Sequence, residues 1–212
     1  MSKFYVKFDD FSNDLYKELS WRKHELSILN SSIPDKSSKK QQVFLRMAIP
    51  ILYAHWEGFI NNSASYYLCY VNSNRLKHSE LTTQFFTLSL KNKLHLNEAK
   101  NLETQTKIVD YVLNNFEKRS NVPTKNIIKT KSNLNFKVFN EILYVIGFDE
   151  SMFKNFESLI NDLIDLRNFI AHGENKIVNK ETYNNFYTEI INLMDYFKTE
   201  LENFSILKKF KK

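Results

Sequence analysis

At 212 residues, with a formal net charge of +6 and a pI near 9.1, the chain has the size of one generous domain or two very small ones. It can bury a sizeable core unaided, and its single cysteine, Cys69, excludes both a disulfide framework and a cysteine-rich zinc site. The positive balance admits a polyanionic partner, because lysine and arginine displace counterions from phosphate, but lysine is equally the default residue of a solvated helix face.

Met1 to Lys7 lacks the apolar run of a signal peptide, and the longest apolar cluster, Ile49 to Tyr53, is far too short to span a membrane. The expected setting is cytoplasmic and reducing. Three glycines and three prolines in the whole chain favour long helices over a sheet with tight turns. Phe11, Leu15, Leu19, Leu26 and Leu29 recur at helical spacing and predict a first helix from about Asp10 to Leu29. A polar linker from Asn30 to Lys40 follows. A long second helix is expected from Gln41 to Val71, interrupted by Pro50 with a kink near that turn, because the ring nitrogen cannot donate to the Arg46 carbonyl. Cys69 lies in an apolar-rich part of this helix and reads as an inert core or interface thiol.

Beyond it, Leu81, Phe85 and Leu88 indicate one helix, and Ile108, Val112 and Phe116 another. The basic segment Lys118 to Lys137, with Pro123 inside it, reads as a loop that either touches phosphate or, as is commoner, simply covers the surface. A short helix from Phe136 to Ile146 stops at Gly147, and a strongly helical segment from Glu150 to His172 stops at Gly173. Asn179 is a good N-cap for a last helix running to about Leu207. The fold class expected is an all-α bundle in a single domain spanning 1–212, with its core at about 41–207.

The chemistry concentrates in Asp165-Leu166-Arg167-Asn168-Phe169-Ile170-Ala171-His172-Gly173. At 100° per residue, Leu163, Leu166, Phe169 and Ile170 share one side and are expected to pack inward. Asn168 and His172 share a second face, and Arg167 lies about 140° from His172 on an ideal helix. The two cannot stand side by side on a straight helix, so they meet either through a frayed last turn or across a subunit boundary. A helix C-terminus favours an imidazolium, which suits general acid–base work, and arginine offers a planar fork of donors to a phosphorane. The alternative is an ordinary helix ending, with the arginine in a surface pair with Asp162 or Asp165. The spacing alone favours that alternative, because an Arg-x4-His pattern is short.

Arg167 to His172 resembles the Arg-x(4–6)-His motif of the HEPN superfamily. Leu52-Tyr53-Ala54-His55-Trp56-Glu57-Gly58-Phe59 resembles the Ala-His-Trp-Glu-Gly-Phe signature of a small bacterial family of HEPN-like nucleases. The resemblance covers about Gln41 to Leu207 and implies a helical bundle that dimerises and cleaves RNA without metal or cofactor, as toxins and anti-phage effectors do. It makes Arg167 and His172 the expected catalytic pair in a cleft shared by a homodimer, with RNA as substrate and an antitoxin or ATPase as further partner. Asn168, His55 and Glu57 are expected in supporting roles, Asn168 by orienting the His172 ring. His55 and Glu57 are 200° apart on a helix and cannot both face one site. Trp56 reads as core, and Gly58 as a close approach by another helix. A non-catalytic HEPN module binding RNA, a nucleotide or a protein is the rival. A metal hydrolase is weaker, since five dispersed histidines form no His-Glu-x-x-His motif.

Overall fold

The computed structural model describes residues 5, 7–94 and 101–212. Most of the stretch Met1 to Lys7, read above for a leader, lies outside the described residues. Among the described residues are seven α-helices and no β-strand: α1 (Phe8–Ser32), α2 (Lys39–Ser73), α3 (Thr83–Leu94), α4 (Leu102–Asn115), α5 (Phe136–Val145), α6 (Glu157–Ala171) and α7 (Lys180–Ile206). Among the described residues, no helix is long and apolar enough to cross a membrane. The architecture is an all-α bundle, as the scarcity of turn residues implies.

The helix starts are set by side-chain caps. Ser38 accepts from the Gln41 N–H at 3.1 Å, Asn135 from Val138 at 2.9 Å, and Asn179 from Thr182 at 2.7 Å. Helix α2 is the longest element, 35 residues, and it packs against α1, α6 and α7. Its inward stripe (Leu45, Leu52, Trp56, Phe59) is fully buried. The Trp56 ring meets Phe139 edge-on at 5.2 Å, and Phe59 meets Phe197 at 6.4 Å, which ties α2 to α5 and α7. Cys69 is buried, as an inert thiol would be.

Three expectations are corrected. Helix α2 runs through Pro50 without a break, the surrounding bundle holding the turn that the proline weakens. The Glu150–His172 segment is two elements: a 3-10 helix, Glu150–Phe156, precedes α6. Its tighter winding eclipses residues three apart, so Phe153 and Phe156 both face Tyr196, at 5.1 and 6.2 Å. Phe169, expected inward, is 40% exposed, and the Lys176 ammonium lies 5.4 Å from its ring centroid. The rest of the expected face does pack inward: Leu163 is buried with Ile160 and Ile164, and Leu166 and Ile170 are partly buried against the core.

The α1–α2 contact contains a buried ionic cluster. Arg22 donates through Nε and Nη2 to Glu18 Oε1 at 3.1 and 2.6 Å, and through Nη1 to the His55 carbonyl at 3.2 Å. Asn62 adds a 2.7 Å bond to the same carboxylate oxygen. Gly58 makes room for this cluster: a Cβ there would lie 2.8 Å from both terminal guanidinium nitrogens. The approach predicted at Gly58 is therefore made by a side chain of α1, not by its backbone. Glu18→Ala, which leaves the buried Arg22 cation unpaired, should cost about 3–5 kcal/mol in urea denaturation. The Glu18→Met/Arg22→Met double variant should lose less than the single one. A greater loss in the double variant would contradict this view of the cluster.

Candidate active site

Helix α6 ends in a Schellman arrangement that fixes the backbone at His172. Gly173, at φ +82°, donates to the Ile170 carbonyl at 3.1 Å, and Glu174 donates to Phe169 at 3.0 Å. His172 is the C-cap, at φ −82° and ψ 4°, with its N–H on the Asn168 carbonyl at 2.9 Å. The loop that follows is clamped from α2. Arg46 donates to the Glu174 carbonyl at 2.7 Å, and to Asn175 Oδ1 and the Lys176 carbonyl at 3.3 Å each. The His172 side chain is exposed, and among the described residues its ring makes no hydrogen bond.

Arg167 is held very differently. Its guanidinium carbon lies 4.2 Å from the centroid of the Tyr53 ring. Nη1 donates to Asn168 Oδ1 at 2.7 Å and Nη2 to the Ser132 carbonyl at 3.1 Å. Every one of these partners is neutral. The surface pair with Asp162 or Asp165 is not formed: Asp162 accepts from Ser158 Oγ at 2.9 Å, and among the described residues no carboxylate forms an ion pair with Arg167. Asn168, expected to orient the imidazole, instead orients the guanidinium. Arg167 and His172 are not hydrogen-bonded to each other, in keeping with their separate sectors of a regular helix.

Tyr53 is itself fixed. Its hydroxyl accepts from the Leu134 N–H at 2.6 Å. Burial, the principal cause, with the Glu57 carboxylate acting in the same direction, pushes its pKa up to about 12, so the phenol stays neutral. Glu57 thus lies on the Arg167 side of α2, one turn beyond Tyr53.

The chain matches the family described as RiboL-PSP-HEPN over residues 17–203. It belongs to that family. Comparisons with curated proteins and with solved structures give no match. The matched span encloses both motif stretches of this HEPN chain, and its helical bundle agrees with the fold the resemblance implied.

His55 sits on the opposite side of α2 from Tyr53, among α1 side chains. Its Nε2 is 3.5 Å from Glu25 Oε2, its ring lies 5.3 Å from Trp21, and its Nδ1 is buried without a hydrogen-bond partner. The Ala54–Phe59 signature therefore serves several surfaces at once: His55 and Gly58 face α1, Trp56 and Phe59 the core, and Glu57 the Arg167 side. Tyr53 and Arg46 are the residues that sequence reasoning missed. Their signal was positional, since Arg46, Tyr53 and Glu57 lie at i, i+7 and i+11 along one helix sector. A 440 Å³ cleft between α3 and α5, lined by Thr83, Leu88 and Tyr144, lies apart from these residues.

Burial lowers the His55 pKa below its ordinary 6.5; Glu25 opposes the shift and Arg22 adds to it. The unfolded chain therefore binds a proton more readily than the folded one. This contribution to stability is complete above about pH 6.5 and declines as the pH falls. Wild type should lose melting temperature between pH 7 and pH 5 more steeply than His55→Gln. Parallel pH profiles for the two proteins would contradict the neutral, structural role.

Proposed function

We propose that this HEPN protein is a metal-independent endoribonuclease that acts as a homodimer, with Arg167 of one protomer opposite His172 of its partner. The observation that carries the proposal is the Arg167 environment. A structural arginine in a packed site finds a carboxylate, whereas this one is immobilised by an aromatic face, an amide and a carbonyl, and among the described residues no carboxylate forms an ion pair with it. A phosphate supplies the missing anion. His172 complements it as an exposed imidazole on a backbone fixed by the Schellman turn and the Arg46 clamp.

The surface beside the pair favours a second copy. Val43, Met47 and Ile51 form an exposed apolar stripe on α2 next to Arg46, and Phe169 and Ile177, on either side of His172 in sequence, are exposed as well. A two-fold axis through this face would bring two Arg167/His172 pairs into one cleft, so that each incomplete half is completed by its partner.

In the proposed reaction, His172 accepts the proton of the ribose 2′-OH as that oxygen attacks the adjacent phosphorus. Arg167 stabilises the charge that builds on the non-bridging oxygens. The P–O5′ bond breaks, the 5′-oxygen takes up a proton, and the products carry a 2′,3′-cyclic phosphate and a 5′-hydroxyl. Neither step calls on a metal. The biological setting proposed is that of a toxin or anti-phage effector, restrained by an antitoxin or regulated by an ATPase. The competing proposal, a non-catalytic module that binds RNA or protein, is favoured by the separation of Arg167 from His172 within one chain.

Purified protein should cut single-stranded RNA in the presence of chelator and leave cyclic phosphate ends. Arg167→Ala and His172→Ala should each lower the rate by a factor of about 100 or more. The exposed His172→Ala variant should melt close to wild type, and Arg167→Ala should stay folded while losing its contact with the Tyr53 ring, about 0.5–2 kcal/mol. Arg46→Ala should be milder, acting on kcat through the position of His172. Activity that chelator abolishes and Mg²⁺ restores would overturn the mechanism, and full activity in the His172 variant would remove that residue from it.

A further inference from the structure

The basic segment read as a loop over 118–137 is a strap laid along the bundle as far as residue 135, and its last two residues open α5. At its start, Ser120 donates to the Leu76 carbonyl through both its N–H and its hydroxyl, each at 2.8 Å, and the Lys118 carbonyl accepts from His78 at 3.0 Å. Val122 is buried, and its N–H donates to Asn72 Oδ1 at 3.0 Å. At the far end Leu134 is fully buried against Tyr53, and the Ser132 carbonyl accepts from Arg167. Asn72 and Tyr53 both belong to α2 and stand about 28 Å apart along it. The strap therefore runs back along α2, from the end of the bundle to the candidate catalytic arginine.

Its side chains divide by direction. Val122, Ile128 and Leu134, six residues apart, are buried, whereas Lys118, Arg119, Lys125 and Lys129 are exposed. Residues 118–135, before α5 begins, hold five basic residues and no aspartate or glutamate. Lys131 pairs with Glu141. Among the described residues, none of the four exposed cations just named is paired with a carboxylate. The strap reaches Arg167 through a tight turn in which Lys131 and Ser132 both take positive φ, at 57° and 52°, closed by the Asn133 N–H on the Thr130 carbonyl at 3.1 Å. Such a turn normally selects Asn-Gly. Here it is made without glycine, and it presents the Ser132 carbonyl to the guanidinium.

We propose that the strap is a track for the sugar-phosphate backbone of single-stranded RNA, leading substrate from Arg167 toward the end of α2. The proposal rests on the ribonuclease reading of the same site. An acidic protein fits less well, because the apolar side chains of the strap face inward and leave no apolar centre for a protein interface. A row of uncompensated cations on a strap whose anchors on α2 stand about 28 Å apart matches a ligand that carries charge at every residue.

The test uses the full chain carrying Lys118→Gln, Arg119→Gln, Lys125→Gln and Lys129→Gln together. Binding is measured in the His172→Ala background, where no cleavage intervenes, on a single strand of about 20 nucleotides. If each cation covers one phosphate, the slope of log K against log salt should become shallower by about 3, equivalent to a roughly fiftyfold smaller affinity loss between 50 and 200 mM salt. With His172 intact, cleavage of the long strand should fall at low salt while a trinucleotide is cut at the wild-type rate. Unchanged salt dependence, equal loss on both substrate lengths, or tighter binding of a polyglutamate peptide than of RNA would each overturn the track. A wild-type protein that binds RNA through these cations but cleaves none would instead refute the ribonuclease reading and leave the track standing.

Discussion

The site depends on Tyr53, a buried phenol with two duties. Its ring face carries the Arg167 guanidinium at 4.2 Å, and its hydroxyl accepts from Leu134 at 2.6 Å, which pins the end of the strap. Ser132, two residues before Leu134, then supplies the carbonyl that receives Arg167. Three elements far apart in sequence thus converge on one side chain: α2 supplies the platform, the strap an acceptor, and α6 the cation. Because burial keeps the phenol neutral, the platform adds no negative charge that would cancel the arginine. A guanidinium over an aromatic face gains about 0.5–2 kcal/mol without losing its net charge, which is what a phosphate site requires.

Helix α2 organises everything else by dividing its circumference. One sector, Arg46, Tyr53 and Glu57, addresses the site. A second, His55, Gly58 and Asn62, meets α1 around the buried Arg22–Glu18 pair. A third, Leu52, Trp56 and Phe59, fills the core, and between the first two lies the exposed apolar stripe of Val43, Met47 and Ile51. A compact run such as Ala54–Phe59 looks like a single functional motif in sequence. On the helix its residues serve three different surfaces.

Much of the bundle was legible because helix period, N-caps and terminal glycines are local signals. Asn179, Gly147 and Gly173 each mark an element end where the structure has one. Long-range contacts were not legible. Nothing in the spacing of Phe169 shows that the chain beyond Gly173 leaves its ring half open, and nothing local shows that Arg46 clamps that chain. Asn168 could be placed on the His172 face, but the rotamer that turns its amide to Arg167 depends on Tyr53 and Ser132, more than 30 residues away in sequence. The 118–137 segment read as a loop because its inward residues recur every sixth position, a period that belongs to neither helix nor strand.

The central proposal is that each chain is half of a site, since α6 keeps Arg167 and His172 on separate sectors while an exposed apolar stripe on α2 runs beside Arg46, which clamps the chain after His172. Mixing the Arg167→Ala and His172→Ala proteins, then dissociating and reassociating them, tests this most directly. A heterodimer restores one intact Arg167–His172 pairing out of two, so an equimolar mixture should regain about a quarter of wild-type cleavage where neither parent has any. Tagged heterodimers that form in full and still cut no RNA would contradict the shared site.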